Sequence, residues 1–310
     1  MSPDRPHHPS RRSFLAGLAT LATSLGVAAQ QPNAAPKPPA PPQDPFPGRK
    51  KVLAIGDVHT GYQHDSVSHA LATIERLGRQ SGDFITYIKT DTQLITKGEV
   101  YGTGRYAAPP AGTRRTNAKN LDYFDAIFFF GLGEEELSAQ QKADLLSFVH
   151  DDGKGFVGAH SAIDAFYNWP EYGEMTGAYF DDHPWGVMDA PILIEQPTFP
   201  GMKQLPPQFT LRDEIYVPTN APYSRANVDV LARLDATKVN LKVSDLHRTD
   251  NDFPIAWVKY YGRGRVFYST LGHLDASWDD PRVQQMYLEA IRWSLGLTTY
   301  TPKPHPLRSQ

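Results

Sequence analysis

Several segments of this 310-residue chain set histidine and carboxylates at the ends of short apolar runs. Gly158-Ala159-His160-Ser161-Ala162 follows the run Gly155–Ala159 and has the outline of a nucleophile elbow, G-x-S-x-G. His160 takes the nucleophile slot and Ala162 replaces the last glycine. A tight turn of that kind pushes its central side chain out of the strand end, which suits a general base or a metal ligand. The competing role for His160 is a histidine hydrogen-bonded at a strand terminus. Ser161 stands one position late for the elbow nucleophile. A second cluster, Tyr179-Phe180-Asp181-Asp182-His183-Pro184, sets two carboxylates beside an imidazole, where they can orient it or share a metal. In Arg212-Asp213-Glu214-Ile215-Tyr216, strand alternation turns one carboxylate inward, and an inward carboxylate needs a partner. Gly272-His273-Leu274-Asp275 comes directly after another apolar run, and Asp57, His59 and His64 follow the first one.

The chain contains no cysteine, which excludes a thiol nucleophile, a disulfide framework and thiolate metal sites. Chemistry here must run on histidine, carboxylates, hydroxyls, arginine or a metal held by nitrogen and oxygen. A divalent metal held by His and carboxylate is compatible with these clusters, and the sequence names none. Beyond residue 29 there are 28 basic and 33 acidic residues, a net charge of −5, so no general footing exists for nucleic acid or anionic lipid.

The elements that must position these residues alternate. Strands are expected at 51–57, 84–88, 123–130 and 155–160, with helices over 64–80 and, behind a capping box at Ser138 and Gln141, over 138–150. Such a series implies right-handed crossovers and a parallel sheet, with ligands at the carboxyl ends of the strands. The second half is richer in strands, at 191–195, 209–217, 228–234, 255–261 and 265–270, before a last helix that Asp280-Pro281 opens and Gly296 stops. The Pro-rich tail from Thr301 is expected to fray.

Ahead of this domain, Ser10-Arg11-Arg12-Ser13-Phe14-Leu15 fits a twin-arginine export signal, with an apolar stretch over 16–29 ending in Val27-Ala28-Ala29. The stretch is short for a bilayer span, so cleavage after Ala29 is expected, leaving no integral membrane segment and placing the protein in the periplasm or outside the cell. Residues 30–48 hold eight prolines and read as a semi-rigid linker. The expected organisation is therefore a signal peptide (1–29), a linker (30–48), one α/β domain (50–297) and a tail (298–310).

From Lys51 to Gly296 the chain resembles the ThuA-like, or trehalose-utilisation, family within the class I glutamine amidotransferase-like superfamily. The residues that carry the likeness include Gly61-Tyr-Gln-His64, Gly155–Ala162, Trp169-Pro-Glu-Tyr172-Gly173, Gly177–Pro184, Asp213–Tyr216, Ile255-Ala-Trp257, Gly262–Tyr268 and Leu271-Gly-His273. The resemblance implies a flavodoxin-like three-layer α/β sandwich around a mostly parallel sheet. It implies loss of glutaminase activity, because His160 stands where the glutaminase cysteine would be. It also implies a sugar or keto-sugar ligand. Segment 91–119, rich in glycine and proline, departs from the family as a long loop, a candidate lid.

Two classes of function remain. An enzyme would use His160, His273, Asp213 and Glu214 as the reacting groups and His64, Tyr172, His183 and Trp257 to bind substrate, as a keto-sugar isomerase or lyase or as a glycoside-cleaving enzyme. A non-catalytic carbohydrate-binding or scaffolding domain would use Trp169, Tyr172, Tyr179, Trp185 and Trp257 for stacking. The site hypothesis is concrete: at least three of His64, His160, His183 and His273 share one cleft with Asp213 or Glu214.

Overall fold

The computed structural model describes residues 44–56, 62–100, 119–132 and 137–307. The export signal, the linker up to residue 43, Asp57, His59 and most of the expected lid (101–118) lie outside these residues.

Eleven strands are numbered in chain order: β1 (Lys50–Gly56), β2 (Phe84–Lys89), β3 (Ala126–Phe130), β4 (Gly155–Ala159), β5 (Phe180–Asp182), β6 (Val187–Ile194), β7 (Gln208–Glu214), β8 (Val217–Pro218), β9 (Asp229–Leu234), β10 (Pro254–Tyr261) and β11 (Gly264–Ser269). The helices are α1 (Val67–Ser81), α2 (Ala139–His150), α3 (Pro170–Thr176), α4 (Asp275–Asp279) and α5 (Pro281–Ser294).

Nine strands form one sheet in the order β2-β1-β3-β4-β11-β10-β9-β6-β7. The block β2-β1-β3-β4-β11 is parallel, as the apolar runs require: β1, β3 and β4 are covered on both faces and read as continuous hydrophobic sequence, whereas the edge strand β2 is buried only at Phe84. Val52, Ala54, Phe128 and Phe130 face the layer holding α1 and α5, whereas Leu53, Ile55, Ile127 and Phe129 face α2 and α3. That alternation makes a three-layer sandwich of the flavodoxin type. The chain order places the switch point between β1 and β3, where neighbouring strands run to helices on opposite sides and a crevice opens at their carboxyl ends. From β11 onward every pairing is antiparallel, a wing that extends the parallel block.

The helix punctuation follows the sequence signals. Ser138 and Gln141 form the expected capping box, Gly82 ends α1 in the left-handed conformation at φ 76°, and Asp280 caps α5 with Pro281 at its first position. Several boundaries differ: β6 starts at Val187 rather than 191, and β3 at Ala126 rather than 123, behind a 3-10 turn at Leu121–Tyr123. The first helix begins at Val67, which leaves His64 in the turn ahead of it. The strand expected over 209–217 breaks at Ile215: β7 stops at Glu214, and Val217–Pro218 pairs instead with β5. The tail does not fray where expected, because the Lys303 amide and the Tyr300 hydroxyl both donate to Asp229 Oδ2, at 2.7 and 2.6 Å.

The wing is bent by its own pairing. β6 matches β7 from Val187 to Leu193 but touches β9 only over Ile192–Ile194. The free end of the β6–β7 hairpin leaves the sheet and returns over the strand ends, where the Asp213 carboxylate accepts from the Gly272 amide at 2.7 Å.

Candidate functional site

The elbow forms at the end of β4. His160 has φ 43°, a left-handed conformation rare for a residue with a Cβ and costly unless its surroundings hold it. Two buried tyrosines do so: Tyr268 Oη donates to the His160 carbonyl and Tyr172 Oη to that of Ala162, both at 2.7 Å. Gly158 is needed beneath the turn, since a Cβ there would meet the Ala162 methyl at 3.1 Å.

The imidazole of His160 is fully buried. Its Nδ1 lies 2.6 Å from the Thr270 carbonyl. A carbonyl only accepts, so Nδ1 carries a proton, and it is Nε2 that is turned to the centre, presenting a lone pair whenever the ring is neutral. That Nε2 is 3.6 Å from Glu214 Oε2 and 3.2 Å from His273 Nδ1, and His273 Nδ1 is 3.1 Å from the same Glu214 oxygen. His64 completes the group: its ring stands edge-on to both His160 and His273, at centroid distances of 4.7 and 5.2 Å. One donor atom from each of His64, His160, Glu214 and His273 lies within 4.8 Å of all the others.

These residues arrive from four segments. His64 follows β1, His160 follows β4, His273 follows β11, and Glu214 ends β7 on the returning hairpin. His183, from the turn between β5 and β6, stands at the rim with its side chain 48% exposed and Nδ1 3.9 Å from Glu214 Oε1. The expected convergence of at least three imidazoles with a carboxylate is therefore present in the geometry.

Burial shapes the charges. Desolvation, then the nearby His160 and His273, push the His64 imidazole down to about 3, which keeps it neutral. Burial alone would raise the Glu214 carboxyl, but its contacts with His160 and His273 outweigh this and hold it well below the usual carboxylate range. The Glu214 contact in turn raises the His273 imidazole.

Four expected site residues have other work. Asp213, expected among the reacting groups, is fully buried and accepts from the amides of Gly272, Glu214 and Leu274, so it fixes the loop that carries His273. Tyr172 and Trp257, expected to bind substrate, are both inaccessible to it at 0% exposure. Tyr172 pins the elbow, and Trp257 donates to the Thr176 carbonyl while its ring packs 4.4 Å from that of Tyr268. Trp169, expected as a stacking surface, is likewise in the core at 5% exposure. Conversely, Tyr216 lies 4.1 Å from the His160 ring and its hydroxyl 3.4 Å from His64 Nε2, and the exposed Tyr62 ring stands 4.9 Å from His64. Both stood in sequence runs noted above, but nothing in their spacing marked them as site residues. The Thr270 carbonyl, a backbone group, had no sequence signal at all.

Comparison with known proteins follows the same outline. No curated protein matches the chain by sequence. A putative ThuA-like protein from Bacteroides uniformis is 22% identical with a TM-score of 0.62, covering 82% of this chain and 95% of its own. One from Parabacteroides merdae is 18% identical with a TM-score of 0.56, covering 83% and 94%. At such identities these structures establish the shared fold. The ThuA family model, described as trehalose utilisation, matches residues 51–294, and the chain belongs to that family.

Proposed function

We propose that this is an exported carbohydrate-metabolism protein that acts on a sugar or keto-sugar by histidine-based acid–base chemistry. One observation carries the reading: the His160 Nε2 lone pair, the His273 Nδ1 and a Glu214 oxygen meet within 3.1–3.6 Å. Two lone pairs facing each other across that gap attract only when a positive charge lies between them. With that gap empty of a proton, His160 Nε2 or the Glu214 oxygen can take one from a carbon beside a carbonyl; the proton then lies between them and can be returned to a neighbouring atom, which restores the free base. Returned to the adjacent carbon, it completes an isomerisation; with departure of a leaving group, an elimination. The surrounding imidazole N–H groups are the available electrophiles for charge on the carbonyl oxygen, and the half-exposed His183 marks the side from which a small polar ligand enters.

Two other readings have less support. Glycoside hydrolysis by paired carboxylates needs two reacting acids, and Asp213 is engaged by backbone amides. A stacking-based binding module needs exposed rings; Tyr172, Trp169 and Trp257 are buried, which leaves that reading to the partly exposed Tyr179 and Trp185 and to Tyr62. Export rests on Arg11-Arg12 and the apolar stretch that follows them.

The test is proton exchange in D2O, followed by NMR, on trehalose oxidised to a keto-disaccharide. The wild-type chain is expected to exchange the proton beside the carbonyl, and His160→Asn to bind sugar without exchange. Sugar binding with no exchange by the wild type would favour the binding module, and absence of both would overturn the reading.

A further inference from the structure

The three contacting atoms at the centre of the site form a nearly regular triangle. Its edges are 3.1 Å (His273 Nδ1 to Glu214 Oε2), 3.2 Å (His273 Nδ1 to His160 Nε2) and 3.6 Å (His160 Nε2 to Glu214 Oε2). Ligands bonded to one zinc-sized ion at about 2.0–2.1 Å in a tetrahedron stand roughly 3.3–3.4 Å apart, which is the mean edge found here. A donor atom of His64 completes four within 4.8 Å.

We propose that His64, His160, Glu214 and His273 bind one divalent first-row transition-metal ion. This deepens the acid–base reading by placing the ion where the proton would otherwise be held, so that the proton-carrying role passes to His183, and it rests on that reading only for the location of the site.

The chemistry of each donor supports the assignment. His160 is oriented as metal-bound histidines are: its Nδ1 proton goes to a backbone carbonyl, which fixes the tautomer and turns the Nε2 lone pair to the centre. The carbonyl belongs to Thr270, and the Thr270 hydroxyl in turn accepts from the Tyr216 amide at 2.7 Å, so the orienting group is itself held. The Glu214 main chain is anchored by its amide, which donates a hydrogen bond to Oδ1 of Asp213, the carboxylate that also fixes the His273 loop. Three imidazoles and one carboxylate are a borderline-soft set that suits zinc, iron, cobalt or nickel rather than calcium or magnesium, which prefer oxygen. A cation would also neutralise the Glu214 charge against the facing lone pair without any proton. With the ion in place, it supplies the electrophile for a substrate oxygen, and His183, outside the donor set and half exposed, is the imidazole left to carry a proton.

Full-length protein stripped with EDTA is titrated with zinc chloride by calorimetry, alongside a thermal melt, and cobalt(II) loading is followed by its visible d–d bands. The expected result is one ion per chain, a raised Tm and cobalt bands of a histidine-rich, low-coordinate site. Glu214→Gln and His160→Asn are each expected to weaken zinc binding beyond the ~10–100-fold loss that follows removal of a mere outer-shell partner. His150→Ala, remote on the exposed end of α2, is expected to bind as the wild type does. If a histidine variant does not fold, the near-isosteric Glu214→Gln carries the comparison. Absence of stoichiometric binding, or equal binding by Glu214→Gln, would overturn the metal site. Sugar turnover that persists in the metal-free protein would also overturn it as a working part while leaving the acid–base reading standing; binding of zinc without sugar turnover would do the reverse.

Discussion

His160 Nδ1 and the Thr270 carbonyl oxygen, 2.6 Å apart, tie together the carboxyl ends of β4 and β11, two neighbouring parallel strands. The bond does three things at once. It joins two strand ends, selects which imidazole nitrogen carries a proton, and supports a residue whose backbone is strained. A side chain tolerated at φ 43° and hydrogen-bonded across strands is one whose position is determined from both ends.

His160→Asn is expected to fold, because asparagine is among the side chains that best tolerate a left-handed backbone. Circular dichroism should be unchanged and proton exchange into a keto-sugar lost. Normal exchange by the folded variant would remove His160 from the chemistry.

Tyr172→Phe leaves the buried Ala162 carbonyl without its donor. A loss of about 1–3 kcal/mol is expected on denaturant unfolding. Since Tyr172 does not reach solvent, ligand affinity per folded molecule should hold; a selective loss of affinity would return Tyr172 to the binding surface.

Asp213→Asn removes one of the two carboxylate oxygens that receive the amides of Gly272 and Leu274. We expect the His273 loop to shift, with kcat falling more than KM rises and stability lower by about 1–3 kcal/mol. An unchanged kcat in a destabilised protein would show that the loop needs no such anchor.

Asp125 joins the parallel strands at their other end, accepting from the Lys51 amide and the Lys154 ammonium with Lys50 at 3.5 Å. Burial would raise its carboxyl, but these partners prevail and lower it. A carboxyl lowered by folding contributes stability that is present above its unfolded value near 4 and lost as pH falls through the native value. Asp125→Asn should therefore be less stable than the wild type at pH 7, with the gap narrowing in acid. A constant gap would assign the effect to packing alone.

Arg11→Lys with Arg12→Lys should strand uncleaved precursor in the cytoplasm, since lysine does not reproduce the paired guanidinium signal. Fractionation and N-terminal mass analysis read this directly, and a mature start at Gln30 is expected for the natural sequence.

The parallel block was legible because its strands are apolar on both faces and its helices announce their caps. β4 and α2 fall within a residue of their expected bounds. His160 and His273 could be read as site residues because each directly follows such a strand. Trp257 and Tyr172 were misplaced for a physical reason: an aromatic ring with a polar handle is equally at home stacking a sugar or buried with that handle bonded to a carbonyl. Which of the two occurs is decided by packing across α3 and β11, contacts remote in sequence. Likewise, alternation implied an inward carboxylate at 213–214, but both are buried because the hairpin folds back over the strand ends, a bend that no local pattern contains.

That hairpin arm is joined to the rest of the molecule by the pairing of β6 with β9, by the Asp235 amide donating to the Pro191 carbonyl, and by Asp213. Its inner residues Ala190, Ile192, Leu211 and Ile215 are packed in the same core as α1 and α5. The three imidazoles of the centre come from the ends of β1, β4 and β11, whereas its one carboxylate comes from this arm. The negative charge of the centre is therefore assembled only when the antiparallel wing has folded onto the parallel block, which makes the site a readout of the complete sheet.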